Sequence, residues 1–262
     1  MSLSEIETAY DDAGSGPAVL LLHGFPFDRS MWREQIDFLS AQGWRAIATD
    51  LRGLGETKYS GDVTTMEDMA RDVAALMDDL EIDRAAVCGL SMGSYVAFEF
   101  ARLFPARVRA LVLAGARAQG ADEAERKSRE DKAQDVLNDG ISPFVEAMLP
   151  DLLAPKTLAE KPVVVARVRE MILRTDPRGA AAAQRGMAAR RDYSADLADV
   201  SVPTLIIAGR EDVIRKPDDA ELIHRGIAKS VLAVIDDAGH LMNMEQPEVF
   251  NRMVVNFLRL IH

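Results

Sequence analysis

The sequence predicts an α/β domain, a mostly parallel sheet flanked by helices, with a helical segment inserted into it. Three observations carry this reading. Short apolar runs alternate with longer helical patterns as far as Gly115. Strand-like runs then disappear between about Arg117 and Val200, and the alternation resumes at Thr204. Strands separated by helices are joined by right-handed crossovers, which lay them parallel and cover both faces of the sheet. A chain of 262 residues can be one large domain or two small ones. Because the strand pattern returns, an insertion is favoured over a separate helical domain. The expected division is a core of residues 1–116 and 201–262 and a helical cap of residues 117–200.

Taken in order, Ala18–Leu22 reads as a buried strand, an unbroken apolar run that stops at His23-Gly24. The stretch before it is short, with room for one or two edge strands at most. Met31 to Ala41 follows as a helix and Arg45–Thr49 as the next strand. Met66 to Leu80 has helical spacing, with Met69, Val73, Leu76, Met77 and Leu80 on one face. A strand ending at Leu90, a helix from Met92 to Phe104 and the strand Ala110–Ala114 complete the first half. The insertion is rich in Ala, Arg, Glu and Asp, and Pro143, Pro150, Pro155, Pro162 and Pro177 punctuate it into roughly four helices. Among them, Val163 to Thr175 and Pro177 to Arg191 have clear helical spacing. The core pattern closes with strand Thr204–Ala208, a helix near Pro217 to Gly226, strand Ser230–Ile235 and a last helix from Pro247 to Ile261.

Composition narrows the function. The balance of 31 basic against 42 acidic residues gives a net charge of −11, which disfavours nucleic-acid and anionic-membrane partners. No basic, apolar leader opens the chain and no apolar run approaches membrane-spanning length, so a cytoplasmic protein is expected. Cys88 is the only cysteine, which excludes an internal disulfide, and its place in an apolar strand predicts a buried, inert thiol. Histidines are scattered and no cluster has metal-ligand spacing. Gly14-Ser15-Gly16 lacks the context of a phosphate loop, and no cofactor is called for. The sequence leaves the oligomeric state open, a homo-oligomer included.

The chemistry centres on Ser91, in Gly89-Leu90-Ser91-Met92-Gly93 between a strand and a helix. Such a turn strains the serine and holds its hydroxyl above the sheet, and glycine is needed where a Cβ would meet neighbouring backbone. A serine hydroxyl needs a base to take its proton during attack. Of the four histidines, His262 is terminal and expected to fray, and His224 lies on a solvated helix. His23, between a strand and Gly24, suits loop shaping. His240, just past a strand in Asp237-Ala238-Gly239-His240, is the preferred base. The base needs a buried carboxylate, and Asp212 at the carboxyl end of Thr204–Ala208 is preferred over its neighbour Glu211, which reads as a solvated charge. The backbone N–H groups of Phe25, in His23-Gly24-Phe25-Pro26, and of Met92 are assigned to the oxyanion.

With these residues in place the chain resembles the α/β-hydrolase superfamily over essentially its whole length. His23-Gly24-Phe25-Pro26, Asp50-Leu51-Arg52-Gly53-Leu54-Gly55, Gly89-Leu90-Ser91-Met92-Gly93, Gly209-Arg210-Glu211-Asp212 and Gly239-His240 fall in that family's order and approximate spacing. The finer resemblance is to bacterial carboxylesterases and 3-oxoadipate enol-lactonase-like hydrolases, carried by Gly239 to Glu248, Asp176 to Gly179 and Met187 to Asp192. Leu54 stands where many relatives carry histidine and Ser94 where a second glycine is common; neither removes a catalytic group. The resemblance implies the α/β-hydrolase fold and a serine hydrolase that cleaves a small to medium carboxylic ester or lactone through an acyl-serine intermediate. A cofactor-free perhydrolase or haloperoxidase-type activity is the alternative within the enzyme class, and a slow-turnover ligand-binding receptor the alternative outside it. Phe25, Phe144 and Met148 are the expected substrate contacts. Met92, Met171 and Met187 are further candidates for the pocket, with helix packing as the competing reading for each methionine. The arginines of Ala188-Ala189-Arg190-Arg191 are expected to face water.

Overall fold

In the computed structural model, which describes residues 6–58 and 61–261, the chain builds one seven-stranded sheet. Its strands are β1 (Tyr10–Ala13), β2 (Ala18–Leu22), β3 (Arg45–Thr49), β4 (Ala85–Leu90), β5 (Val108–Ala114), β6 (Thr204–Gly209) and β7 (Ser230–Ile235). They lie in the order β1-β3-β2-β4-β5-β6-β7. Every neighbouring pair is parallel except β1 with β3, where Tyr10 faces Thr49 and Ala13 faces Ala46. Among the described residues, this edge is a single short antiparallel strand.

Strand β2 shows why the sheet needs cover on both sides. Its five residues are all buried, and successive side chains point to opposite faces. Val19 and Leu21 join the core under α1 (Arg33–Ala41) and α11 (Pro247–Leu260). Leu20 and Leu22 join the other, under α2 (Met66–Asp79), α3 (Met92–Leu103) and α9 (Pro217–Gly226). Helix α2 starts where the sequence dictates: the Thr65 hydroxyl accepts the Asp68 N–H at 3.0 Å while the Asp68 carboxylate accepts the Thr65 N–H at 2.9 Å. A single 3-10 turn, Arg29–Trp32, precedes α1 and moves its start past the expected Met31.

Between β5 and β6 the chain forms five α-helices where the length of a typical helix and its connection suggested roughly four. They are α4 (Glu123–Asp139), α5 (Val145–Leu152), α6 (Pro155–Glu160), α7 (Pro162–Arg174) and α8 (Pro177–Ala188). The miscount has a physical cause. Pro155, Pro162 and Pro177 occupy helix starts, where a missing N–H costs nothing, so short helices fit between closely spaced prolines. A last short helix, α10 (Met242–Glu245), follows His240 directly. Among the described residues no helix is long and apolar enough to cross a membrane.

Candidate active site

Ser91 closes the turn from β4 to α3 at φ 54°, ψ −112°. For a residue with a Cβ this backbone costs about 1 to 3 kcal/mol, which the surrounding packing must hold in place. Both flanking glycines are required by close approach: a Cβ on Gly89 would lie 2.2 Å from the Gly93 carbonyl oxygen, and one on Gly93 2.1 Å from that of Leu22. The Ser91 N–H donates to the Ala114 carbonyl of β5 at 2.9 Å. Ser94 donates its hydroxyl to the carbonyl oxygens of Gly89 (2.8 Å) and Ala114 (3.1 Å), fastening the same turn. Helix α3 behind it is buried at every position from Met92 to Phe100.

Asp212 and His240 meet at the carboxyl ends of β6 and β7. His240 Nδ1–H donates to Asp212 Oδ2 at 2.7 Å, and both side chains are almost wholly excluded from solvent. The other carboxylate oxygen accepts the N–H groups of Ile214 (2.9 Å) and Arg215 (2.8 Å), which fixes its plane. With Nδ1 as donor, Nε2 of a neutral ring is left as the basic atom. Gly115, at the end of β5, makes room for the ring, since a Cβ there would lie 3.1 Å from His240 Cε1.

The loop after β2 lies against the serine; a Cβ on Gly24 would come within 3.5 Å of Ser91 Cβ. His23 shapes it from beneath. Its Nδ1–H donates to the Gly24 carbonyl (2.8 Å) and its Nε2 accepts the Leu51 N–H (2.9 Å). Burial lowers its pKa, against the opposing pull of Asp50. The Met92 amide is the first of α3 and so has no acceptor within the helix. Among the described residues, the Phe25 amide has no backbone acceptor either. Leu54 is buried, filling its loop apolarly, and its neighbour Gly55 gives way to the Asp50 carboxylate. His224 is exposed and bonded to Ser230, while His262 lies outside the described residues.

Ser91 and His240 open onto one cavity of about 360 Å3, a size suited to a small ligand. From the core it is lined by Phe25, Tyr95, Ile214 and Arg215, and from the inserted helices by Arg129, Phe144, Met148, Leu152, Gln184 and Met187, among others. A larger groove of about 430 Å3 between the end of α3 and residues 191–202 contains none of these groups. Two methionines expected at the pocket are elsewhere: the Met92 and Met171 side chains are buried in the apolar cores. Among the described residues no group of three or more His, Cys, Asp or Glu is placed to hold a metal. Cys88 is fully buried, and burial pushes its thiol far above the ordinary range.

Sequence reasoning missed the charged network behind this cavity, which reaches its wall through Arg129 and Arg215. Glu125 of α4 accepts from Arg190 at 2.8 and 2.9 Å and from Arg129 at 2.9 and 3.0 Å. Burial pushes its carboxyl up, but the two guanidinium groups outweigh it and hold the pKa down at about 2. Arg190 was expected in water and is instead fully buried, its guanidinium 4.8 Å from the centre of the Tyr95 ring. Arg191, its neighbour, is half exposed as expected. Arg215 donates to the Tyr95 hydroxyl from Nε (3.0 Å) and Nη2 (2.7 Å). Glu125 and Arg129, four apart on α4, form a pair that the sequence could have shown, whereas the link to Arg190 leaves no pattern in one sequence.

The α/β-hydrolase-fold family model matches residues 17–247. A 3-oxoadipate enol-lactonase of Acinetobacter baylyi is 30% identical over 94% of this chain and 90% of its own. Among solved structures, a thermophilic esterase from Thermogutta terrifontis, determined with malate bound, is 41% identical with a TM-score of 0.96, covering 98% of this chain and 94% of that one. The enol-lactonase from Burkholderia xenovorans LB400 is 28% identical with a TM-score of 0.91, each chain covered to 99%.

Proposed function

The chain belongs to the α/β-hydrolase fold family, and from that premise we propose that it is a serine hydrolase of small to medium carboxylic esters or lactones. One observation carries the reading: a strained Ser91 and an Asp212-bound His240 share one cavity. In the proposed mechanism Ser91 Oγ attacks the carbonyl carbon as His240 Nε2 takes its proton. The Phe25 and Met92 N–H groups stabilise the oxyanion of the tetrahedral intermediate. The C–O bond to the leaving alkoxide then breaks, and His240 returns the proton to that oxygen. Water, deprotonated by His240, cleaves the acyl-Ser91 ester to release the acid. For a lactone the alcohol stays tethered until this second step and the product is a hydroxy acid. Asp212 keeps the ring oriented and stabilises the imidazolium formed at each transfer.

The helical segment of residues 117–200 acts in this scheme as a cap that selects substrates, with Phe25, Phe144 and Met148 as apolar contacts. Its place in the cavity wall supports the assignment. The test is covalent labelling with a fluorophosphonate alongside steady-state turnover of a short p-nitrophenyl ester. The reading requires a single labelled residue, Ser91, and repeated turnover. Labelling elsewhere overturns it, and one turnover followed by arrest would favour the binding-receptor alternative.

A further inference from the structure

Glu245 lies outside the machinery described so far, yet its carboxylate is buried and joined to the base loop. Its Oε1 accepts the N–H of Gly239, the residue before His240, at 2.9 Å. Its Oε2 accepts the N–H of Ala154, in the turn between α5 and α6, at 2.7 Å. The link also runs the other way: the carbonyl of Leu152, at the end of α5, accepts the N–H of His240 at 3.0 Å and that of Leu241 at 3.2 Å. Residues 152–154 and 239–241 are therefore cross-tied in both directions, and among the described residues Glu245 is the one side chain bonded to both. The fit is tight, since a Cβ on Gly239 would lie 2.7 Å from the Ala154 nitrogen. Leu152, Met148 and Phe144 line the cavity from this same stretch of chain.

We propose that Glu245 is a positioning residue for His240, and that through Ala154 and Leu152 it couples the place of α5 against the substrate to the registration of the base. The inference rests on the assignment of His240 as that base. A buried carboxylate holding two backbone N–H groups defines both strands of the tie, and neither can shift without leaving a donor unpaired. An acyl chain that presses on Met148 and Leu152 then acts on the His240 backbone through a short, hydrogen-bonded path. Misplacement of a catalytic group by about 1 Å can cost on the order of a hundredfold in rate.

Two substitutions cut the tie from opposite sides. Glu245→Gln keeps the shape but offers one acceptor oxygen for two donors. Ala154→Pro deletes the N–H that Oε2 accepts, at a residue whose φ of −60° already suits proline, after Leu153 in the extended conformation proline favours. Rates are normalised to active sites titrated by a fluorophosphonate, so that misfolded protein does not count. Glu245→Gln should lower kcat per titrated site tenfold to a hundredfold while KM changes less than threefold. The double variant should lose little more than the worse single one, because both remove one interaction. Unchanged kcat per site in Glu245→Gln, or multiplying effects in the double variant, overturns the proposal. If Ala154→Pro does not fold, Glu245→Gln alone decides. A Ser91→Ala protein that kept its turnover would instead overturn the proposed function, a separate outcome.

Discussion

The helix that follows Ser91 and the first helix of the inserted segment are built on opposite principles. Helix α3 is buried over nine consecutive residues, Met92 to Phe100, pressed between the sheet and its neighbours. Helix α4 buries only Ala133 and Val136 of its seventeen residues. It is held through polar side chains instead, with Glu125 gripping Arg190, Arg129 reaching Gln184 of α8, and Asp122 capping its first turn. The core fixes its groups by close backbone approach, a demand that few residue types can meet. Helix α4 keeps its place with long polar side chains, a demand that many combinations meet, although α8 of the same segment packs by close backbone approach at Gly179 and Gly186. Chemistry should accordingly fail wholesale when the core is altered and shift by degrees when the cap is.

The largest effect tests the core side. Ser91→Ala and His240→Ala should each lower kcat by about ten-thousandfold or more, with thermal midpoints close to the parent. Asp212→Asn should lose somewhat less, since the histidine remains but in poor orientation. Steady-state rates with melting curves decide it, and a Ser91→Ala protein with near-parental turnover would end the comparison at its root.

Next comes the backbone that places the serine. Gly93→Ala pushes a methyl against the Leu22 carbonyl oxygen, 2.1 Å away, where no side-chain motion can relieve it. Urea unfolding should show a loss of about 3 kcal/mol, in the range of severe overpacking. Gly140→Ala, at the end of α4, meets nothing within 4 Å, so its loss is the backbone cost of φ 76° with ψ −177° alone, about 1 to 3 kcal/mol. Equal losses at the two positions would erase the contrast between the regions.

The same contrast explains what could be read from sequence. Gly89, Ser91 and Gly93 were legible because their spacing answers a steric demand visible in one dimension. Asp212 and His240 were legible because each stands just past an apolar strand, and parallel strands bring their carboxyl ends to one edge. Helix α4, Glu125 and the burial of Arg190 were not. Charged residues that pair across helices look in sequence like a solvated surface, and only the folded chain shows Arg190 stacked near Tyr95. The helix count fell one short because α5 and α6, of eight and six residues, are shorter than the typical helix on which it rested.

Cap substitutions should act on selectivity. Phe144 and Met148 line the cavity from the inserted helices, whereas Ser91 and His240 reach it from the core. Phe144→Ala and Met148→Ala should change the ranking of ester chain lengths by about tenfold, the scale set by one or two methylenes in an apolar pocket. Acetate esters should change much less. A chain-length series of kcat/KM values reads this, and one common factor across the series would mean the helices support the site without selecting for it.

The smallest effect separates the regions by pH. His23 is buried with Nδ1–H given to Gly24 and Nε2 accepting from Leu51, so a second ring proton has no place and its folded pKa is lowered. The unfolded chain takes up that proton below about pH 6.5 while the folded one does not. The unfolded state then binds more protons, so stability is full above that value and falls as pH drops toward the folded pKa, by up to about 1.4 kcal/mol per pH unit. The cap should add little in this window, because residues 117–200 hold no histidine and Glu125 is held at about 2. Urea unfolding of the parent and of His23→Gln at several pH values between 5 and 7.5 gives the test. The variant should lack the share of acid weakening that belongs to one proton, whereas a Glu125→Gln protein should retain it. If instead Glu125→Gln flattens the profile and His23→Gln does not, the acid-sensitive element is the charged cap and the contrast drawn between the two regions is reversed.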